Sequence, residues 1–418
     1  MHLIVASAFL TNVVGTANFQ YLPLYIRRLG GTIDSLAAFY SIQTVVLAVL
    51  VLVGGWLVDR FNRRLLFSLT PIIAGVSSLL MAVAPSWTWL IPGMCLNLLA
   101  MSIGGPIFFS LTSDIAPRER RAAYFGYQAM AFSICGIIGP LVGGGFFQFL
   151  DYRWFLGLGT VLSFGGSYLR SLLKDPREDP NFVPEGGRVE RLPVGQGGAR
   201  RGRMGDFLDN LREFGSWARV TPGVAAYLVL ISLPAFSGKL LESYFTVYLN
   251  EVALILPASI GLLAAISGSA AIPANLWGGR LADAVGRRIA VPVAHVLSGL
   301  WMMTITLVSG LNPLAVVFVF DGLIHGGLFP SIDALNADLC PSQRRGTFNG
   351  VFRLLGVLVA VPAPAAGAWL WSHFGASAPI RAAAVVTALT GVLLLRLMPS
   401  LIRTRLSPAS LGAPSSPG

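Results

Sequence analysis

Gly55-Trp56-Leu57-Val58-Asp59-Arg60-Phe61-Asn62-Arg63-Arg64 returns 224 residues further on as Gly279-Arg280-Leu281-Ala282-Asp283-Ala284-Val285-Gly286-Arg287-Arg288. At the same offset Asp114, Pro117, Arg120 and Arg121 fall on Asp338, Pro341, Arg344 and Arg345, while Pro106, Gly126, Pro140 and Gly143 fall on Pro330, Gly350, Pro364 and Gly367. The chain is therefore two copies of one long unit, joined head to tail. Twofold repeats of this size recur in secondary transporters, because two similar bundles can rock about a site held between them.

Composition places both copies in a bilayer. Of 418 residues 54% are hydrophobic and 12% charged, and the mean hydropathy is +0.70, whereas soluble domains carry about 25% charged residues. The net charge of +11 does not point to nucleic acid, since the arginines stand in short clusters between apolar stretches and act as topology signals. Cys95, Cys135 and Cys340 are odd in number and far apart, so neither a disulfide framework nor a thiol metal site is expected.

Apolar stretches long enough to cross a core of about 30 Å begin near residues 3, 35, 65, 88, 122 and 153, then near 222, 257, 289, 313, 346 and 379. The predicted fold is all-α and integral to the membrane, with twelve transmembrane helices in two pseudo-symmetric six-helix bundles, because open strand edges cannot cross lipid. The bundles are expected over residues 1–173 and 222–400, with a tail over 401–418. Residues 174–221 form a polar linker, rich in Gly, Pro and Arg at first and then patterned as an amphipathic surface helix through Phe207, Leu211, Phe214 and Ala218. The alternative reading of that segment is a partner-binding element.

The turns holding Arg60, Arg63 and Arg64, then Arg118, Arg120 and Arg121, then Arg280, Arg287 and Arg288, then Arg344 and Arg345 share one side with the nine Lys or Arg of the middle segment. By the positive-inside rule that side and both termini are cytoplasmic. Arg27 and Arg28, directly after the first helix, argue locally for the reverse. No basic n-region or small-residue cleavage site marks a signal peptide.

The two decapeptides resemble the cytoplasmic signature G-x-L-x-D-R-x-G-R-R of the major facilitator superfamily, and the twelve spans and central linker extend the resemblance over essentially the whole chain. It implies that Asp59, Arg60, Arg63 and Arg64, with Asp283, Arg287 and Arg288, latch the cytoplasmic side, a carboxylate near a helix N-terminus meeting partial positive charge there. Asn62 stands where Gly is usual, which a residue tolerant of the left-handed conformation accommodates. Ala284 stands where the second copy would carry Arg. Asp114 with Arg121, and Asp338 with Arg345, resemble the family's next cytoplasmic turn, where Pro117 and Pro341 stop one helix and start another. Each acid is expected to face its arginine across the turn. Charges that merely signal topology are the competing reading.

In the fifth helix Gly126, Gly139, Pro140, Gly143, Gly144 and Gly145 resemble G-x8-G-x3-G-P-x2-G-G, a pattern of the family's drug and proton antiporters, with Cys135 replacing the second Gly. Close helix packing alone would also explain small residues here. The arginine which such antiporters often carry in the fourth helix is missing, and the first helix has no acid, offering Asn12, Thr16, Asn18 and Gln20 instead.

Ionisable residues inside a span are costly and usually face a cavity. Lys239 and Glu242 in the seventh helix and Asp321 and His325 in the tenth are the expected substrate or proton-coupling residues. At 1.5 Å per residue Lys239 and Asp321 both stand about 26 Å from the cytoplasmic helix ends, which allows them to pair, with His325 one turn along from Asp321. A structural ion pair is the alternative. Asp333 and Arg353 read as a gate pair. Phe19, Tyr21, Tyr25, Tyr244, Phe245 and Tyr248 either line an outer vestibule or form an interfacial belt.

The expected function is secondary transport by alternating access, first as proton-coupled export of small amphipathic compounds, otherwise as import of a sugar, organic acid or other metabolite. A membrane sensor on a transporter scaffold is the non-transport alternative. No G-x-x-x-x-G-K-[ST] loop suggests ATP drive. The chain is read as a non-enzyme without cofactors, a monomer in the inner (plasma) membrane whose partners are a small-molecule substrate, protons and lipid, and not nucleic acid.

Overall fold

A computed structural model describes residues 2–115, 121–173, 215, 223–329, 331–339 and 345–405. Among these there are helices and no strand. The first half forms α1 His2–Arg28, α2 Ile33–Arg60, α3 Arg63–Ala82, α4 Leu90–Ile115, α5 Arg121–Phe149 and α6 Tyr152–Ser171. In the second half α7 runs as Val224–Ser232 and Pro234–Val247 and ends in the π turn Tyr248–Val252. There follow α8 Pro257–Val285, α9 Arg287–Ile305, α10 as Leu311–Gly327 and Ser331–Leu339, α11 as Arg345–Ala360 and Ala363–Phe374, and α12 Ala378–Arg405. Ten of these spans are long and apolar enough to cross a membrane by themselves. The remaining two are α6, diluted by Arg153 and Arg170, and α10, whose apolar part Leu311–Gly327 is short. The expected linker and amphipathic segment apart from Gly215, the tail beyond 405, and Pro117, Arg118, Arg120, Pro330, Cys340, Pro341 and Arg344 lie outside the described residues.

Local chemistry sets the helix ends. Thr32 and Ser35 form a capping box at α2, Ser35 N donating to Thr32 Oγ1 at 3.2 Å and Thr32 N to Ser35 Oγ at 3.0 Å. Asn62 does not adopt the left-handed conformation expected of it. At φ −60° and ψ 120° it is extended, and its Oδ1 accepts from Arg64 N at 2.9 Å and Leu65 N at 3.2 Å. Asn therefore serves as the N-cap of α3, whereas Gly286 at the equivalent turn takes φ +92°. One signature position meets two different backbone solutions.

The packing repeats as the sequence does. In the first half α1 packs on α5 and α6, α3 on α4 and α6, and α2 on α4; in the second α7 packs on α11 and α12, α9 on α12 and α10, and α8 on α10. Tyr21 of α1 donates its hydroxyl to the Pro140 carbonyl at 2.9 Å, and Tyr244 of α7 donates to the Pro364 carbonyl. Gly143 makes room for the Tyr21 ring and Gly367 for the Tyr244 ring, since a Cβ on either would lie inside contact distance of that ring. Small residues thus let whole helices approach. The halves meet where α5 packs on α8, α2 on α11 and α1 on α7.

The aromatic expectation is corrected. Tyr21, Tyr25, Tyr244 and Tyr248 are buried and Phe19 is exposed, so the tyrosines form neither an interfacial belt nor an open vestibule. The hydroxyls of Tyr21, Tyr25 and Tyr244 find carbonyls inside the protein, Tyr25 donating to Met81 O at 3.1 Å, which lets an amphipathic ring be buried.

Candidate functional site

Lys239 and Glu242 lie three residues apart on one face of α7 and form an ion pair at 2.9 Å, with side chains 9% and 18% exposed. The pair is not isolated on its own helix. Lys239 Nζ also donates to Gln43 Oε1 of α2 and sits 5.0 Å from the centroid of the Tyr40 ring, also on α2. A buried ammonium of the second half is therefore held partly by the first half.

The expected pairing of Lys239 with Asp321 does not occur. Asp321 instead meets His325 Nδ1 at 2.8 Å and accepts from Ser267 of α8 at 2.6 Å. His325 stacks on Phe329 at 4.6 Å and stands edge-on to Trp301 of α9 at 5.7 Å. Each charge is satisfied by a neighbour one turn along its own helix. Equal depth along two helices left open which way their side chains point, and the azimuths separate Lys239 and Asp321 into two clusters.

At the end of the molecule carrying the α1–α2 and α7–α8 turns, hydrogen bonds tie the halves together. Arg27 pairs with both oxygens of Glu251, at 2.7 and 3.1 Å. Tyr21 Oη also reaches the Pro257 carbonyl at 3.0 Å, Gln148 Oε1 accepts from Ala258 N at 3.0 Å, and Gln20 Nε2 donates to Thr246 Oγ1 at 3.3 Å. Gly144 of α5 and Gly261 of α8 allow this approach, because a Cβ on Gly144 would lie 2.6 Å from Pro257 O and one on Gly261 would press on Pro140 O. Within the helix-five pattern Gly139 and Gly143 are packed against α1 and Gly144 against α8, whereas a Cβ on Gly126 or Gly145 would meet nothing within 4 Å. The packing explanation covers three of the glycines, and Gly126 and Gly145 drop out of it.

At the opposite end Arg287 bonds Asp283 at 2.9 Å and Asp338 at 3.1 Å, joining α8, α9 and α10. Asp338 thus faces Arg287, the partner one helix over. These residues and Arg288 line a depression of about 450 Å³, separate from the Lys239–Glu242 and Asp321–His325 clusters. Exposed pairs of this kind contribute only about 0–1 kcal/mol each. In the first copy Arg64 Nη2 donates to the Ser171 carbonyl at 3.3 Å, and Arg60 and Arg63 also have partners. The side chains of Asp59, Asp114, Arg121, Asp333 and Arg345 lie outside the described residues, and Arg353 is exposed.

Several residues escape a reading of local sequence. Gln43, Tyr40 and Ser267 are ordinary residues in apolar runs until their partners are seen. Arg170 did carry a signal, as an ionisable residue inside the sixth span. It is buried, donates to Thr70 Oγ1 at 2.8 Å and Phe67 O at 3.2 Å, and lies 4.2 Å over the Phe67 ring. It fastens α6 to α3.

The sequence model described as Major Facilitator Superfamily matches residues 4–255 and 235–416. Multidrug resistance protein MdtG of Klebsiella pneumoniae (strain 342) is 24% identical over 425 residues, covering 97% of this chain and 93% of that protein. Quinolone resistance protein NorA of Staphylococcus aureus is 26% identical over 163 residues, 38% of this chain and 40% of that protein. Among solved structures, the peptide transporter POT in complex with sulfate superposes with a TM-score of 0.72 at 16% identity, over 96% of this chain and 95% of the other. A bacterial homolog of the human lysosomal transporter Spinster gives 0.67 at 15% identity, over 96% of each chain. At these identities the two structures bear on fold alone.

Proposed function

This chain belongs to the major facilitator superfamily, and from that premise we propose that it expels small amphipathic compounds in exchange for protons by alternating access. It is a multi-pass membrane transporter of a small molecule and not an enzyme. The reading of export is supported by the near full-length similarity to MdtG. The reading of proton exchange rests on one observation, the buried Lys239–Glu242 pair whose ammonium is also bonded to Gln43 of the other half. A carboxylate in that place changes the net charge of a buried cluster whenever it takes or loses a proton, and the ammonium feels the relative position of the two halves. Asp321 and His325 are a second candidate for the exchanged proton, because an unperturbed imidazole titrates near pH 6.5.

In this reading residues 1–173 and 222–400 are the rocking bundles, 174–221 tethers them, and 401–418 is a cytoplasmic tail. The end locked by Arg27 and Glu251 is the outer one, and Asp59, Asp114, Asp283, Arg287 and Asp338 belong to the cytoplasmic gate, with Asp333 and Arg353 near it. The protein works as a monomer in the inner (plasma) membrane with both termini in the cytoplasm.

Two experiments test this. Purified protein in vesicles with an imposed pH gradient should move ethidium or a fluorescent quinolone against its concentration, and Glu242→Gln should bind the dye yet lose the response to the gradient. Full gradient-driven transport by Glu242→Gln would sink the role given to Glu242. For topology, single cysteines placed by Ser407→Cys, Gly202→Cys and Asn312→Cys, in a background lacking Cys95, Cys135 and Cys340, should leave Asn312→Cys alone accessible from outside. The reverse labelling pattern would overturn the orientation.

A further inference from the structure

We propose that Gln43 and Tyr40 of α2 are positioning residues for protonation of Glu242, holding the Lys239 ammonium while that carboxylate is neutral. The inference rests on the reading of Glu242 as a proton-exchanging group, and goes beyond it by placing the control in the other bundle.

The argument is one of charge. With Glu242 ionised the buried pair is neutral, and Lys239 is satisfied by the carboxylate at 2.9 Å. When Glu242 takes a proton from solvent, the ammonium loses its counter-charge in a place where unpaired charge is costly. An ammonium has three N–H donors. Glu242 takes one, Gln43 Oε1 takes a second, and the face of Tyr40 lies 5.0 Å away. An amide oxygen and a ring face are both attractive to a cation without carrying charge, so they lower the cost of the protonated state without competing for the proton. Among the described residues, the titratable groups within electrostatic reach of the Glu242 carboxylate are Lys239 on α7 itself and Tyr40 on α2.

Gln43 and Tyr40 come from α2, whereas Lys239 and Glu242 come from α7. Their contact therefore depends on how the two halves are placed. A rocking motion that draws α2 away from α7 strips Lys239 of these partners and favours loss of the proton from Glu242. Proton occupancy and bundle position are coupled through two uncharged side chains.

The test is an infrared pH titration of the purified full-length protein without substrate, following the protonated-carboxyl band that disappears in Glu242→Gln. Removing the acceptor with Gln43→Leu should move the midpoint of that band to lower pH by about one unit, the size expected for one hydrogen bond to a charged group. Tyr40→Leu should move it in the same direction by less. Gln43→Glu keeps length and volume and gives Lys239 a second anion, so its Glu242 midpoint, assigned by adding Glu242→Gln in that background, should move to higher pH. If Gln43→Leu does not fold, Gln43→Glu decides alone. Unmoved midpoints, or shifts of the same sign in Gln43→Leu and Gln43→Glu, would overturn the proposal. Absence of any titrating band that Glu242→Gln removes would instead overturn the proton role of Glu242 itself.

Discussion

Lys239→Met should destabilise the protein by about 3–5 kcal/mol, the cost of stranding one member of a buried ion pair, and adding Glu242→Gln should restore most of that loss. The expectation follows from the 2.9 Å pair and its low exposure. Methionine matches the length of the lysine stem, so the single variant removes the ammonium with its bonds to Glu242 and Gln43 at little change in volume. The neutral Glu242→Gln side chain can still accept or donate hydrogen bonds in the same space. Thermal unfolding in detergent reads both variants, and gradient-driven transport should be lost in both. Combining Lys239→Met with Asp321→Leu should give no rescue, because Asp321 is held by His325 and Ser267 and not by Lys239. Rescue by Asp321→Leu, or none by Glu242→Gln, would refute this assignment of partners.

Gly261→Leu should reduce transport by about tenfold or more while leaving each bundle folded. A Cβ at this position would lie 2.8 Å from Tyr21 Oη and 2.9 Å from the Pro140 carbonyl carbon, and both neighbours belong to the other half. The backbone of α5 cannot yield to a side chain without moving the helix. Overpacking costs roughly 1–3 kcal/mol, here charged only to the state in which this end is closed, so the equilibrium shifts toward the open one. Spin labels at Phe149→Cys and Leu254→Cys, both exposed positions at this end, should report a longer separation in the Gly261→Leu background. An unchanged separation with normal transport would defeat the prediction. Gly126→Ala, at a glycine with open space beside it, is the matched control and should stay within about twofold, as substitutions away from packed contacts usually do.

Much of this architecture is legible along the chain. Hydropathy located the spans to within a few residues, as in α6, expected from 153 and found from Tyr152, or α8, expected and found from 257, because a bilayer makes apolar length itself the folding signal. Pro140 and Pro364 match at the 224-residue offset, and each accepts from a tyrosine of the first helix of its half, Tyr21 and Tyr244, although these two stand 223 residues apart and Phe245 occupies the position that matches Tyr21. Pairs within one helix were also within reach, since spacings of three and four place Glu242 beside Lys239 and His325 beside Asp321.

Partners on different helices were not. Depth along an axis follows from counting residues, but the direction in which a side chain leaves a helix, and which helix stands there, depend on packing angles summed over the whole bundle. Depth alone therefore matched Lys239 to Asp321, and tertiary packing gave it Gln43 and Tyr40 instead. The same limit hid Ser267 beside Asp321, Asp338 beside Arg287, and the reach of Tyr21 to Pro257. Local sequence determined what each helix is and where it ends, because hydrogen bonding and burial in lipid act along one segment at a time. Only the tertiary structure decided which charges answer one another across the two halves, because that depends on helix azimuths no single segment contains.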